Sequence, residues 1–129
     1  MHLVDTNVIS ELMRPRPAPG VLAWFGGLAD AAVSVITVEE IGFGLVLRPN
    51  VRMEKAFDGF LRACVVWPVT EGIARRSATI RALLRAMGHV RHQADMLIAA
   101  TAAEHGVVLA TRNVRDFEGC GVRVVNPFP

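Results

Sequence analysis

Short apolar runs alternate with longer amphipathic stretches from one end of the chain to the other. Runs such as Ala31–Ile36 and Val107–Ala110 have the length of buried strands, and the segments between them carry apolar positions at helical spacing. The expected elements begin with a strand at His2–Val4 and a short helix at Asn7–Met13. The run Arg14-Pro15-Arg16-Pro17-Ala18-Pro19-Gly20 ends that helix, because proline lacks the N–H that a helix needs. A second helix is expected over Val21–Leu28, a strand over Ala31–Ile36, and a helix from Val38 to about Leu47. After the turn Arg48-Pro49-Asn50, a helix over Val51–Ala63 completes a hairpin sized as a small cap.

The second half repeats the alternation. Cys64–Trp67 reads as a strand, Glu71–Met87 as a helix stopped by Gly88, and Ala94–His105 as a helix stopped by Gly106. Val107–Ala110 and Gly121–Val125 read as strands, and the tail Asn126-Pro127-Phe128-Pro129 ends regular structure. Strand–helix alternation of this kind predicts an α/β domain with a parallel sheet of about five strands covered by helices. At 129 residues it is expected to be a single domain, residues 1–129.

Acidic residues fall where strands hand over to helices. Asp5 follows Leu3-Val4, Glu40 follows the second strand by one turn, Asp95 opens an apolar helix, and Asp116 follows the fourth strand. In a parallel sheet the carboxyl ends of the strands line one crevice, where ligands bind. Carboxylates gathered there repel one another unless a cation sits among them, and a set of hard oxygen donors suits Mg²⁺ or Mn²⁺. Each acid also has a plainer reading as a helix cap. Thr37-Val38-Glu39-Glu40 has the form of a capping box, and Asn113-Val114-Arg115-Asp116 is similar.

Composition narrows the field. Apolar residues make up 52% of the chain, yet no run approaches the roughly 18 residues that span a membrane. No signal-peptide pattern opens the sequence, so a cytoplasmic protein is expected. Cys64 and Cys120 form neither a disulfide framework nor a metal-ligand spacing. A net charge of +2 is mild, but Arg75, Arg76, Arg81, Arg85 and Arg91 lie in a stretch without acids, which offers a phosphate-binding face or a solvated one. Arg85 and Arg91 are the candidate phosphate contacts, with Arg14, Arg16 and Arg112 as the alternative path. The Met and Trp residues read as core, except that Trp24 and Phe25 stand on an exposed-looking helix suited to a partner.

Other chemistries fail on single positions. A haloacid-dehalogenase site needs a second Asp where Asn7 stands, and a receiver domain needs a lysine late in the chain, whereas the sole lysine is Lys55. No Ser-His or Cys-His pair supports a covalent mechanism. His89 and His92 read as solvent-exposed or as phosphate contacts.

Four segments, Val4-Asp5-Thr6-Asn7, Ser34 to Glu40, Ala94 to Ala100 and Ala110 to Phe117, resemble those of PIN-domain proteins. Their order and spacing are most similar to the VapC ribonuclease toxins of toxin–antitoxin pairs, and to the FitB-like branch among them. The resemblance spans Leu3 to Pro127 and implies a three-layer α/β/α fold. It implies Asp5, Glu40, Asp95 and Asp116 as an acidic tetrad, with Asp5 and Asp95 as the main metal ligands. Glu39 rivals Glu40 for the second position. Thr6, Asn7, Thr111 and Asn113 are implied as supporting polar residues. Before Asp95, Arg91-His92-Gln93 departs from the small or apolar residues usual in the family. The activity implied is Mg²⁺-dependent RNA hydrolysis by a homodimer neutralised by a cognate antitoxin. The alternatives are a PIN-type nuclease of RNA processing without an antitoxin, and a catalytically silent binding module.

Overall fold

The computed structural model describes all residues from Met1 to Pro129. Five strands form one sheet in the order β3-β2-β1-β4-β5: β1 (His2–Val4), β2 (Ala31–Ser34), β3 (Val65–Trp67), β4 (Val108–Ala110) and β5 (Val124–Val125). Every adjacent pair is parallel. The helices are α1 (Thr6–Leu12), α2 (Pro19–Gly26), α3 (Val35–Leu47), α4 (Val51–Ala63), α5 (Glu71–Ala86) and α6 (Gln93–His105), with a 3₁₀ turn at Val114–Phe117.

Successive side chains on a strand face opposite sides of the sheet, and here each side has its own core. Leu3, Ala32 and Leu109 pack with Leu84, Met96, Ile98, Ala99, Ala102 and Phe117, so α5 and α6 cover one face. Val4, Ala31 and Val33 pack with Val8, Ile9, Leu12, Val21, Ile41 and Phe57, so α1 to α4 cover the other. The expected three-layer arrangement is therefore present. Right-handed crossovers account for the division. The chain moves outward from β1 to β3 with helices on one face, then returns to β4 beside β1 and must cross on the other. The sequence of strands reverses between β1 and β4, which is where such sheets open a binding crevice.

Most boundaries fall within two residues of expectation. The main exceptions are β5 and the start of α3. The helix begins at Val35 rather than Val38, because the second strand stops at Ser34 instead of continuing to Ile36. Ser34 Oγ accepts from Ile36 N at 3.0 Å, capping α3 two residues before the apolar run ends. Thr37 is thus inside the first turn and fully buried, and the expected capping box with Glu40 does not form. The Asn113 side chain likewise makes no cap. Helix α2 starts earlier than expected, at Pro19, because proline is tolerated in a first helical turn. β5 is shorter than expected: Gly121 takes a φ of +75°, which no extended strand accommodates. Gly88 and Gly106, both at positive φ, end α5 and α6 as expected.

Trp24 and Phe25 are not the exposed pair that the sequence suggested. Both pack against the core, Trp24 edge-on to His2 at 5.5 Å and Phe25 to Phe60 at 5.6 Å. The exposed apolar side chains of this half include Leu22 on α2, Phe43, Val46 and Leu47 on α3 and Val51 on α4. Met87 is also exposed, contrary to its reading as core. Both cysteines are free thiols, Cys120 buried and Cys64 half-buried. No helix is long and apolar enough to cross a membrane.

Candidate active site

Asp5 lies at the carboxyl end of the central strand, buried, with its amide donating to Ala110 O of β4 at 2.9 Å. It is the N-cap of α1, and Oδ1 accepts from Thr6 N at 2.8 Å. Oδ2 faces the β4 side, where it accepts from Thr111 Oγ1 at 2.7 Å and from Asn7 Nδ2 at 3.2 Å. Capping and the crevice therefore use different oxygens of one carboxylate.

Thr111 comes immediately after β4 and is fully buried. Its hydroxyl donates to Asp5 and accepts from Asn7 Nδ2 at 3.2 Å and Asn113 N at 3.1 Å, which exhausts one donor and two lone pairs. Asn7 Oδ1 in turn accepts from Arg112 N at 3.0 Å. Asn7 and Thr111 thus both hydrogen-bond the same oxygen of Asp5. Asn113 contributes through its backbone rather than its amide: its N–H bonds Thr111, and its carbonyl accepts from Asp116 N at 3.0 Å.

On the other side of β1, Thr6 Oγ1 donates to Glu40 Oε1 at 2.7 Å and lies 3.0 Å from the Thr37 hydroxyl. A hydroxyl carries one proton, and the carboxylate is the stronger acceptor, so Thr37 donates to Thr6. Glu39, about 100° away around α3, is exposed, whereas Glu40 is half-buried on the crevice side. The structure therefore brings Glu40, not Glu39, to the site. Thr37 was read from the sequence only as a cap. Its place three residues before Glu40 on one helix face was the available signal.

Asp95 stands in the first turn of α6 and Asp116 in the 3₁₀ turn after β4, both half-buried. Burial raises the Asp95 pKa to about 6, assisted by the negative charges of Asp5, Asp116 and Glu40, and His92 opposes the rise. Burial also raises the Asp5 carboxyl, against the lowering effect of its hydrogen bonds from Thr111 and Thr6. Asp95 is thus in electrostatic reach of the other three acids, and Asp5 of Glu40 as well. No three of them close on one ligating point in this arrangement. The fit to a metal rests on donor chemistry: oxygen-only ligands with a mutual repulsion that a hard divalent cation would relieve.

The arginine stretch is less free than its sequence implied. Arg75 pairs with Glu71 at 3.0 Å and Arg76 with Glu104 at 2.9 Å. Arg91 is half-buried, and its Nη2 donates to Glu118 O at 3.1 Å, tying the loop before α6 to the end of the 3₁₀ turn. Arg81 and Arg85 remain exposed on α5.

A sequence model of the PIN domain matches residues 2–119. The VapC ribonuclease Y4jK of Sinorhizobium fredii is 36% identical, with 99% of this chain and 98% of that protein covered. Toxin FitB of Neisseria gonorrhoeae is also 36% identical, over 99% of each. The solved structure of FitAB bound to an IR36 DNA fragment superposes with a TM-score of 0.90 at 38% identity, covering 98% of this chain and 95% of that one. With the PIN model spanning nearly the whole chain and full-length relatives above 30% identity, the protein belongs to the PIN-domain family, in its VapC and FitB branch.

Proposed function

We propose that the chain is a Mg²⁺-dependent endoribonuclease toxin, with Mn²⁺ as an alternative ion, held in check by a cognate antitoxin. The observation that carries the reading is the Asp5–Asp95 pair. One carboxylate is fixed by Thr111 and Asn7, and the other has its proton affinity raised by burial and three carboxylate neighbours. Relatives named as ribonucleases and toxins, and a neighbour solved as the FitAB assembly, support the same activity and partner.

In this reading Asp5 and Asp95 hold the metal, and Glu40 and Asp116 complete its inner or outer shell. The ion supplies polarisation of the scissile phosphate and a lowered pKa of bound water. Asp5 arrives already oriented, since Thr111 and Asn7 leave Oδ2 little freedom. Glu40 is steadied by Thr6, and its remaining oxygen is available to orient a water. Asp95 must be ionised to take part, so protons compete with the ion for it as pH falls.

A cleft of about 290 Å³ runs from Thr6 and Glu40 along Ile41, Leu45 and Met53. Its apolar lining of Ile41, Leu45 and Met53 is suited to an amphipathic segment of the antitoxin. The reading also takes the chain as a single-domain homodimer of the cytoplasm, where its RNA substrates are found. Purified protein should cut labelled RNA with Mg²⁺ and not with EDTA. Asp5→Asn and Asp95→Asn should each lower cleavage by more than the roughly 10–100-fold typical of outer-shell changes. Wild-type cleavage by either variant would overturn the assignment.

A further inference from the structure

Beside the acidic crevice, Arg14, Arg16 and Arg112 line a hollow of about 500 Å³ together with Glu11, Asn126 and Phe128. The hollow is built from three separate parts of the chain. Glu11 is buried at the end of α1, where Oε2 accepts from Ala18 N at 2.9 Å and Oε1 accepts from Arg14 Nη1 at 3.1 Å. Those bonds fasten both ends of the proline run, and its prolines restrict the backbone between them. The run is thus a stiff arc that presents Arg14 and Arg16. The Ala18 N–H, followed by Arg14, also holds the Glu11 carboxyl below its ordinary range, with a further contribution from Arg112.

From the opposite side, Arg112 lies with its guanidinium 4.8 Å from the centre of the Phe128 ring. Phe128 packs against the core, and its N–H donates to Asn126 Oδ1 at 3.0 Å, so the C-terminal tail forms a fixed platform. A guanidinium lying against a ring keeps its N–H edges directed outward. Three arginines face one acidic side chain, Glu11, whose carboxylate is already committed to Arg14 and Ala18. Arg16 and Arg112 are both exposed and have no acidic partner.

We propose that this hollow binds the phosphate backbone of the RNA strand flanking the scissile bond. The inference rests on the ribonuclease reading above. Continuity with the crevice favours RNA over an unrelated anion: Arg112 N bonds Asn7 Oδ1, and Asn7 Nδ2 bonds Asp5. A polyanion with one phosphate at Asp5 has its next phosphates within the field of these arginines, which offset the repulsion of the acidic tetrad. Planar guanidinium edges match phosphate oxygens in pairs.

The test is binding of a fluorescein-labelled single-stranded RNA on the Asp95→Asn background, measured across a salt series. Arg16→Gln, exposed and free of contacts, should make the slope of log affinity on log salt shallower by about 0.7, and Arg16→Gln with Arg112→Gln by about 1.4. Arg16→Lys with Arg112→Lys should keep most of the slope. On the otherwise wild-type chain, the double Gln variant should raise KM and leave kcat unchanged. Lys55→Gln with Arg62→Gln, on the exposed face of α4, should leave the slope as it was. An unaltered slope in the Arg16 and Arg112 variants, while wild type still cuts RNA, overturns the inference and spares the ribonuclease reading. An equal loss in the α4 variant also overturns it, since the effect would then be general surface charge. Polyglutamate binding that the double variant loses, with RNA binding intact, would assign the hollow to an acidic protein segment. Wild type that neither binds nor cuts RNA overturns both readings.

Discussion

The Thr111 hydroxyl donates to Asp5 Oδ2 at 2.7 Å, joining two buried residues 106 positions apart. Thr111→Val keeps the shape and removes the donor, leaving Asn113 N and Asn7 Nδ2 without their shared acceptor. The expected cost is about 1–3 kcal/mol of stability and roughly 10–100-fold in cleavage. Thr111→Ser should recover most of both. Denaturant titration and cleavage assays on the two variants check this, and a fully active Thr111→Val would remove Thr111 from the site's support.

Divalent metal should raise the melting temperature, because the carboxylates are assembled in the native chain and dispersed in the unfolded one. At a hundred times its Kd the ion would add about 2.7 kcal/mol. The gain should vanish in Asp5→Asn and Asp95→Asn. Scanning with millimolar Mg²⁺ and Mn²⁺ measures it, and an equal gain in the variants would place the ion elsewhere.

Glu40→Gln should damage cleavage strongly and Glu39→Gln only slightly, since Glu40 alone accepts the Thr6 hydroxyl. Comparison of initial rates decides the matter. The reverse ranking would mean that α3 engages the ion with its exposed side.

A carboxyl whose pKa is raised in the folded state favours the native protein when protonated. Asp95 goes from 3.8 to about 6, so the folded chain holds the extra proton in that window. Metal-free protein should therefore gain stability as pH falls from about 6 to about 4 through this group. After solvent screening of a half-buried side chain the gain is about 1 kcal/mol. Asp5 acts in the same direction and Glu11 in the opposite one. The measurement is therefore the difference between wild type and Asp95→Asn, which should be the more stable of the two near pH 7. Parallel stability curves across this pH range would contradict the raised pKa.

The alternation of elements was legible because strands and helices differ in length and period. Asp5 and Asp116 were legible as candidates because they follow strand ends, whereas Asp95 opens α6 after another helix, α5. The border between β2 and α3 was not legible. Val35, Ile36 and Val38 are β-branched and prolong the apolar run, so local preference points to strand. Ser34 capping and the burial of Thr37 and Ile41 on one helix face override it. Arg91 read as a free cation because its partner is a backbone carbonyl, which no charge pattern displays. Glu11 drew no notice, since its partner Ala18 N becomes available only when the proline arc closes.

Asp5 follows the strand at the centre of the sheet, with its amide locked to Ala110 O. Local opening of an edge such as β3 or β5 would not release it, so its amide should exchange with solvent only when the whole domain opens. The centre of the crevice therefore cannot be loosened piecemeal. An agent that silences this protein without unfolding it must act at the mouth of the crevice. A variant that weakens the outer helices should lose half-life in the cell before it loses chemistry.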